Sequence, residues 1–374
     1  MRKAEARSRH TGFARIRHAH FAGATTLAHA AADRRLLLAI ALAATTTAGL
    51  VAFRSFAQGE MNPPQYAHGD AAATPLDHIA LVNQSVLPAT FHLRAEFVDG
   101  TTKAGTGFVV EGDGKALTYA PLVHDASRVR VRMSDGTWLK ADVAFADLST
   151  GVAGIMVHAA AGTTVLTVGL GHNEETAMGE NVATLGLPAG VLPVMSVGRL
   201  AGSGIVMQER SRRTAFALTD ALITPATAGG PVVAADGRVI GIASDGDGIF
   251  VPISTAHRLL GVWRDRGRMT YSTIGATLAP VRNFTTGERA EGDFGCVLAK
   301  VEPRTPADDA GLLTGDRLLE IDGIPINVLE DEFMPPIQLM VDLFPADKPL
   351  KVMVRRDGKI INTEIVPMAE SDLK

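Results

Sequence analysis

Short runs in which apolar and polar residues alternate dominate the chain from about Leu76 to Val262. Val129-Arg130-Val131-Arg132-Met133 alternates at every second position, the period of a strand with one buried face. Val143-Ala144-Phe145 reads the same way, and Val239-Ile240-Gly241-Ile242-Ala243 reads as a fully apolar strand. Ser134-Asp135-Gly136-Thr137 carries the Asp-Gly pair of a hairpin turn. Many short strands at this spacing predict an all-β barrel or sandwich, and Ile253 to Val262 predicts a helix leading out of it. Further along, Gly315 and Gly323 punctuate apolar runs as turn residues at positive φ. Upstream, Leu36 to Phe53 runs eighteen residues without a charge, long enough to span a hydrocarbon core. Gln58 to about Pro75 is polar, contains Pro63-Pro64 and Gly69-Asp70, and reads as a linker.

Charge gives the apolar run a direction. Arg2, Lys3, Arg7, Arg9, Arg15, Arg17, Arg34 and Arg35 precede it, so the tail is expected in the cytoplasm and the rest outside. The run reads as an uncleaved anchor, or as a signal peptide cut after Ser55-Phe56-Ala57. Arg34-Arg35 faintly resembles a twin-arginine signal, but the residues after the pair fit it poorly. The net charge is -4 and no basic block lies in the C-terminal region, which argues against nucleic acid as a partner. The single cysteine, Cys296, rules out an internal disulfide and any Cys-x-x-Cys-His haem attachment, and reads as a buried structural thiol. His124, His158, His172 and His257 are scattered, none at i, i+3 or i, i+4 spacing, and read as surface residues. The twelve methionines form no Met-x-x-Met cluster. No metal site and no cofactor is expected.

Several motifs share one resemblance. Gly105-Thr106-Gly107-Phe108-Val109-Val110, Leu117-Thr118-Tyr119-Ala120-Pro121, Asp147-Leu148-Ser149-Thr150-Gly151-Val152-Ala153 and Met178-Gly179-Glu180-Asn181 through Gly186-Leu187-Pro188 run in that order. Thr219-Asp220-Ala221 then leads into Thr227-Ala228-Gly229-Gly230-Pro231-Val232. Ala307 to Gly323 contains Ala310-Gly311-Leu312, Gly315-Asp316 and Ile321-Asp322-Gly323. Together these resemble the HtrA (Deg) family, a trypsin-like serine protease domain followed by a PDZ domain. The resemblance implies a mainly β fold: two six-stranded barrels, then an α+β PDZ domain, preceded by one transmembrane helix. The implied organisation is a basic cytoplasmic tail over 1–35, an anchor or signal segment over 36–54, a linker over 55–75, a degenerate protease domain over 76–265 and a PDZ domain over 271–370.

The resemblance also locates a site. It puts Pro121 at the general-base His position, Gly151 at the position of the orienting Asp, and Ala228 at the Ser nucleophile. Catalysis of this kind needs a nucleophile, a base and a group holding that base. Proline and glycine have no titratable group, and a methyl cannot attack. Ala226, with Pro225 before it, and Thr227 form a degenerate oxyanion loop. In the PDZ domain Thr273, Ile274, Gly275 and Ala276 match the loop that takes a peptide C-terminus by β-augmentation. The helix around Pro336 to Leu343 is expected as the second wall.

The reading that follows is a pseudoprotease in the bacterial inner membrane, single-pass, with its globular part in the periplasm. It acts as a scaffold or adaptor for exported or membrane proteins bound by their C-termini, as a homotrimer or a hetero-oligomer with an active relative. Two alternatives stay open. One is an HtrA-type endopeptidase with relocated residues, using Ser244 or Thr227 with His124. The other is a metal-binding degenerate protease like those of magnetosome biogenesis.

Overall fold

In the computed structural model the described residues are 74–160, 165–172, 175–189, 192–207, 213–284 and 294–372. The expected anchor at 36–54, the tail before it and the linker up to residue 73 lie outside them. Among the described residues no helix is long and apolar enough to cross a membrane.

The first secondary element departs from the sequence reading. The strand-rich region is expected to begin at about Leu76, but the chain there forms helix α1 (Pro75–Ser85). Local chemistry explains the helix. Thr74 and Asp77 make a reciprocal capping box, and Pro75 occupies the first turn, where a missing N–H costs nothing. Val82 and Val86 are fully buried, and His78 Nε2 lies 2.9 Å from the Ala234 carbonyl. The helix therefore straps the second barrel before the chain enters the first.

The first barrel contains β1 (Thr90–Glu96), β2 (Thr102–Val109), β3 (Lys115–Tyr119), β4 (Arg128–Met133), β5 (Trp138–Asp147) and β6 (Val152–His158). It closes in the order β1-β2-β3-β6-β5-β4. The β4–β5 hairpin turns at Ser134 to Thr137, with Gly136 at φ 91° and Met133 N bonded to Thr137 O at 2.9 Å. The second barrel contains β7 (Asn181–Gly186), β8 (Val194–Val206), β9 (Ala215–Thr219), β10 (Pro231–Ala234), β11 (Val239–Ala243) and β12 (Ile249–Pro252). It closes as β10-β11-β12-β9-β8-β7. Closure removes the strand edges that an open sheet would expose.

Helix α2 (Ile253–Arg266) leaves the second barrel and ends at Gly267, which adopts φ 69° as a left-handed cap. Its Leu259, Leu260 and Trp263 share one buried cluster with Phe108 and Leu117 of the first barrel and Leu185 and Val233 of the second. Then come β13 (Ser272–Thr273), β14 (Ala276–Pro280), β15 (Cys296–Val301), the short helix α3 (Pro306–Asp309), β16 (Arg317–Ile321), β17 (Ile324–Pro325), helix α4 (Met334–Asp342), β18 (Leu350–Arg356), β19 (Lys359–Ile365) and β20 (Met368–Ala369). The main sheet runs β14-β15-β16-β18-β19, with β14 at one edge, and encloses its own core. Cys296 lies in that core, where burial pushes its thiol up to about 12. Gly315 and Gly323 adopt φ 96° and 78°, as their turn positions require.

Candidate functional site

Between the barrels, two loops are joined to each other by a main-chain bond and a third is bonded to β2. The short turn after β3 carries Pro121, and Ala120 N donates to Gly151 O at 2.9 Å. Gly151 in turn closes the β5–β6 turn by donating to Asp147 O. The third loop precedes β10 and carries Ala228, whose carbonyl accepts from Thr106 N at 2.8 Å. Gly229, at φ 79°, lies flush on β2 and β3, because an added Cβ would overlap Thr106 O and Thr118 Oγ1. The Leu122 side chain bridges the first and third loops, packing against the sites where Gly105 and Gly229 would carry a Cβ. The fold thus places the three loops side by side between the barrels.

The side chains there carry no acid–base or nucleophilic chemistry. Ala228 is a methyl group and is 1% exposed. Gly151 is at φ 78°, and a Cβ on it would approach Val251 Cγ2 to 3.0 Å and Tyr119 Cε2 to 3.2 Å. Pro121 offers its carbonyl to Lys103 Nζ at 2.7 Å. The hydroxyls considered as replacements are committed elsewhere. Thr227 Oγ1 accepts from Thr224 N at 3.0 Å and donates to Thr224 O at 3.1 Å. Ser244 is fully buried and donates to Ile249 O at 2.8 Å. His124 lies 3.0 Å from Asp125 Oδ2 on an exposed turn.

Next to the Gly151 turn is a polar network that no sequence spacing indicates. Asp147 Oδ1 accepts from Ser149 N and Oγ at 2.9 and 2.6 Å, and Oδ2 accepts from Thr150 Oγ1 at 2.7 Å and Tyr271 OH at 2.6 Å. Arg213 lies over the Tyr271 ring at 4.5 Å. It donates to Asp342 Oδ2 at 2.6 Å, Glu370 Oε1 at 3.0 Å and Ser149 Oγ at 3.3 Å. Burial raises the Asp342 carboxyl against the pull of Arg213, and burial together with Asp147 raises the Tyr271 phenol. The network joins the first barrel, the segment before β9, the interdomain linker and helix α4. Arg258 and Arg266 of α2 add bonds to the Pro336 and Leu343 carbonyls at 2.7 and 2.8 Å. Directly bonded members lie up to 157 residues apart in the chain, so only the fold brings them together.

The second candidate site is the loop before β14. Thr273 Oγ1 accepts from Gly275 N at 3.1 Å, Glu302 N donates to Gly275 O at 2.9 Å, and Ala307 N donates to Ile274 O at 2.9 Å. Gly275 is at φ 70° and abuts Thr305, leaving no room for a Cβ. Ile274 is buried in the domain core with Leu278, Ile337 and Val341, while Ala276 is half-buried at the start of the edge strand β14. Loop, edge strand and helix α4 are therefore neighbours, as the sequence expects.

Comparison with known proteins defines the class first. Residues 105–242 match the trypsin-like peptidase domain and residues 272–366 match the PDZ domain. HhoB of Synechocystis sp., named as a serine protease, is 32% identical over 273 residues, covering 68% of this chain and 64% of that protein. A DegP-like protein of Halomonas elongata, named as a periplasmic serine endoprotease, is 31% identical over 229 residues, covering 59% of this chain and 48% of that one. The chain thus spans about half to two thirds of the length of these relatives. The solved HtrA-type protease AlgW with tripeptide shares the fold at a TM-score of 0.64 and 22% identity, covering 78% of this chain and 97% of that one. The serine endoprotease from Yersinia pestis aligns at a TM-score of 0.57 and the same identity, covering 79% of this chain and 99% of that one. The chain belongs to the HtrA family, with a trypsin-like double barrel followed by a PDZ domain.

Proposed function

We propose that this HtrA-family chain is a pseudoprotease that works as a scaffold or adaptor, taking peptide C-termini at its PDZ edge. The observation that carries the reading is the trio Pro121, Gly151 and Ala228 on three neighbouring loops between the barrels. Acyl transfer requires a nucleophile and a base within hydrogen-bond reach, and these positions supply neither. The internal bonds of Thr227 and Ser244 support the same reading, since a hydroxyl donating to a carbonyl in its own loop is not activated by a base. The open edge of β14 beside Gly275 and α4 supports β-augmentation by a peptide. The apolar run at 36–53 and the relatives named as periplasmic support a membrane-anchored, exported platform. A trimer, or a mixed oligomer with an active relative, is proposed on family grounds.

Two assays on the full chain test this. A fluorophosphonate probe should leave the protein unlabelled, and casein should remain intact. A covalent adduct at any serine or threonine would return the protein to the endopeptidases. A pull-down from exported proteins should then lose its partner when Ala276→Trp fills the groove beside the carboxylate loop. A partner indifferent to that change would move the function to the barrels.

A further inference from the structure

The described part of the chain contains six histidines. Four are committed to nearby oxygen atoms: His78 to Ala234 O at 2.9 Å, His92 to Leu187 O at 2.8 Å, His124 to Asp125 and His158 to Asp142. The other two, His172 and His257, face each other. Among the described residues neither imidazole has a hydrogen-bond partner. The expectation of scattered surface histidines fails here for a topological reason. The segment after Leu170 runs beside β11, with Gly171 N bonded to Val239 O at 2.8 Å. That placement brings His172 over the second turn of α2, where His257 is half-buried.

The rings are edge to face, with centroids 5.5 Å apart and planes at 69°. Each metal-bound imidazole nitrogen sits about 2.0–2.1 Å from the ion, so two rings sharing one tetrahedral ion have centroids about 5–5.5 Å apart. The observed 5.5 Å matches that separation. We infer that His172 and His257 form a binding site for a divalent transition-metal ion of the zinc, nickel or copper type, on the flank of the second barrel and apart from the degenerate cleft. Imidazole is a fitting ligand for these ions.

The electrostatics agree with the geometry. An imidazole ligates through a neutral ring nitrogen, and pH 7.5 lies above the ordinary histidine value of about 6.5. The cation acting on His257 is Arg264, which is held by Glu111. That carboxylate partner offsets the repulsion an incoming cation would meet. Among the described residues no group of three or more His, Cys, Asp or Glu side chains is placed to hold a metal ion. Water would complete the coordination, which makes this an open, exchangeable site.

The test is calorimetric titration of the full chain with Zn²⁺ at pH 7.5, comparing wild type with His172→Ala, His257→Ala and His158→Ala. The histidines of the N-terminal region can also take metal, so the difference between proteins is the readout. Each substitution within the pair should weaken one equivalent of binding by at least about tenfold, while His158→Ala retains it. Superimposable isotherms for wild type and both pair variants would overturn the site. A measurement on the unaltered chain guards against variants that misfold. Substoichiometric Cu²⁺ should broaden the imidazole Cε1–H signals of two mutually close histidines before those of the other histidines in the folded domains. Uniform broadening, or none, would overturn the proposal.

Discussion

At the scale of single residues, the backbone around the proposed degenerate positions bears on the reading as much as the side chains do. Gly151 is at φ 78° with Val251 and Tyr119 at its flank, so Gly151→Asp should destabilise the protein by about 1–3 kcal/mol, the usual cost of a strained backbone position. Ala228→Ser alone should give no fluorophosphonate adduct, because the hydroxyl would arrive in a buried pocket with no imidazole to take its proton. Labelling of that variant by the probe would show a base that the geometry lacks. The sequence proposes Pro121, Gly151 and Ala228 as the triad positions because flanking motifs set their register. The commitments of Thr227 and Ser244 were not legible there, since they depend on which carbonyl each hydroxyl meets in the folded loop. In the PDZ domain, Gly275→Ala should cost more than the about 1 kcal/mol of a simple glycine effect, because its Cβ would overlap Thr305. A denaturant titration of the full chain checks both stability claims.

Elements are joined here by a small number of charged contacts. Helix α4 is held to the barrels through Asp342, which is 4% exposed and depends on Arg213 and Gln338 for its partners. Removing one member of a buried pair strands the other, typically at about 3–5 kcal/mol. Arg213→Met should therefore destabilise the protein near the lower end of that range, because Asp342 can relieve the loss by taking up a proton. The deficit should be largest at neutral pH and shrink on acidification, when the stranded carboxyl is neutral. A deficit that grows on acidification would contradict the pairing. None of this was visible in the chain, where Arg213 reads as one arginine in the polar stretch before Thr214. Helix α1 departs from the strand reading for a different reason. Its eleven residues mix polarity without a dominant period, and the helix is fixed instead by the local Thr74–Asp77 capping box. The β4–β5 hairpin and Gly315, by contrast, follow local turn chemistry and were legible directly.

For the molecule as a whole, buried histidines set the acid limb of stability. Burial is the largest influence on His78, His92 and His257, and it lowers the proton affinity of each below the ordinary 6.5. A group that holds its proton less tightly when folded favours unfolding as soon as the unfolded chain can bind that proton. The stabilisation these residues allow is thus fully present above about pH 7. It is lost as pH falls through 6.5 toward the folded values, of which that of His257 is about 4. Each such group contributes up to about 1.4 kcal/mol per pH unit in that window. Lowered carboxyls such as Asp236 act with the same sign at more acidic pH, whereas Asp342, raised by burial, acts against them. The transition temperature should therefore drop steeply between pH 6.5 and 4.5, well before the surface carboxylates titrate. His78 offers the cleanest check. It is 1% exposed, it ties α1 to β10 through Ala234 O, and its Nδ1 has no partner among the described residues. Replacing it with Gln keeps a donor for that carbonyl and removes the titration. His78→Gln should lower stability at pH 7.5 yet flatten its decline between pH 6.5 and 5, as read by calorimetry. An unchanged slope would mean that His78 titrates as it does in the unfolded chain, and that the strap between α1 and the second barrel opens before the barrels do.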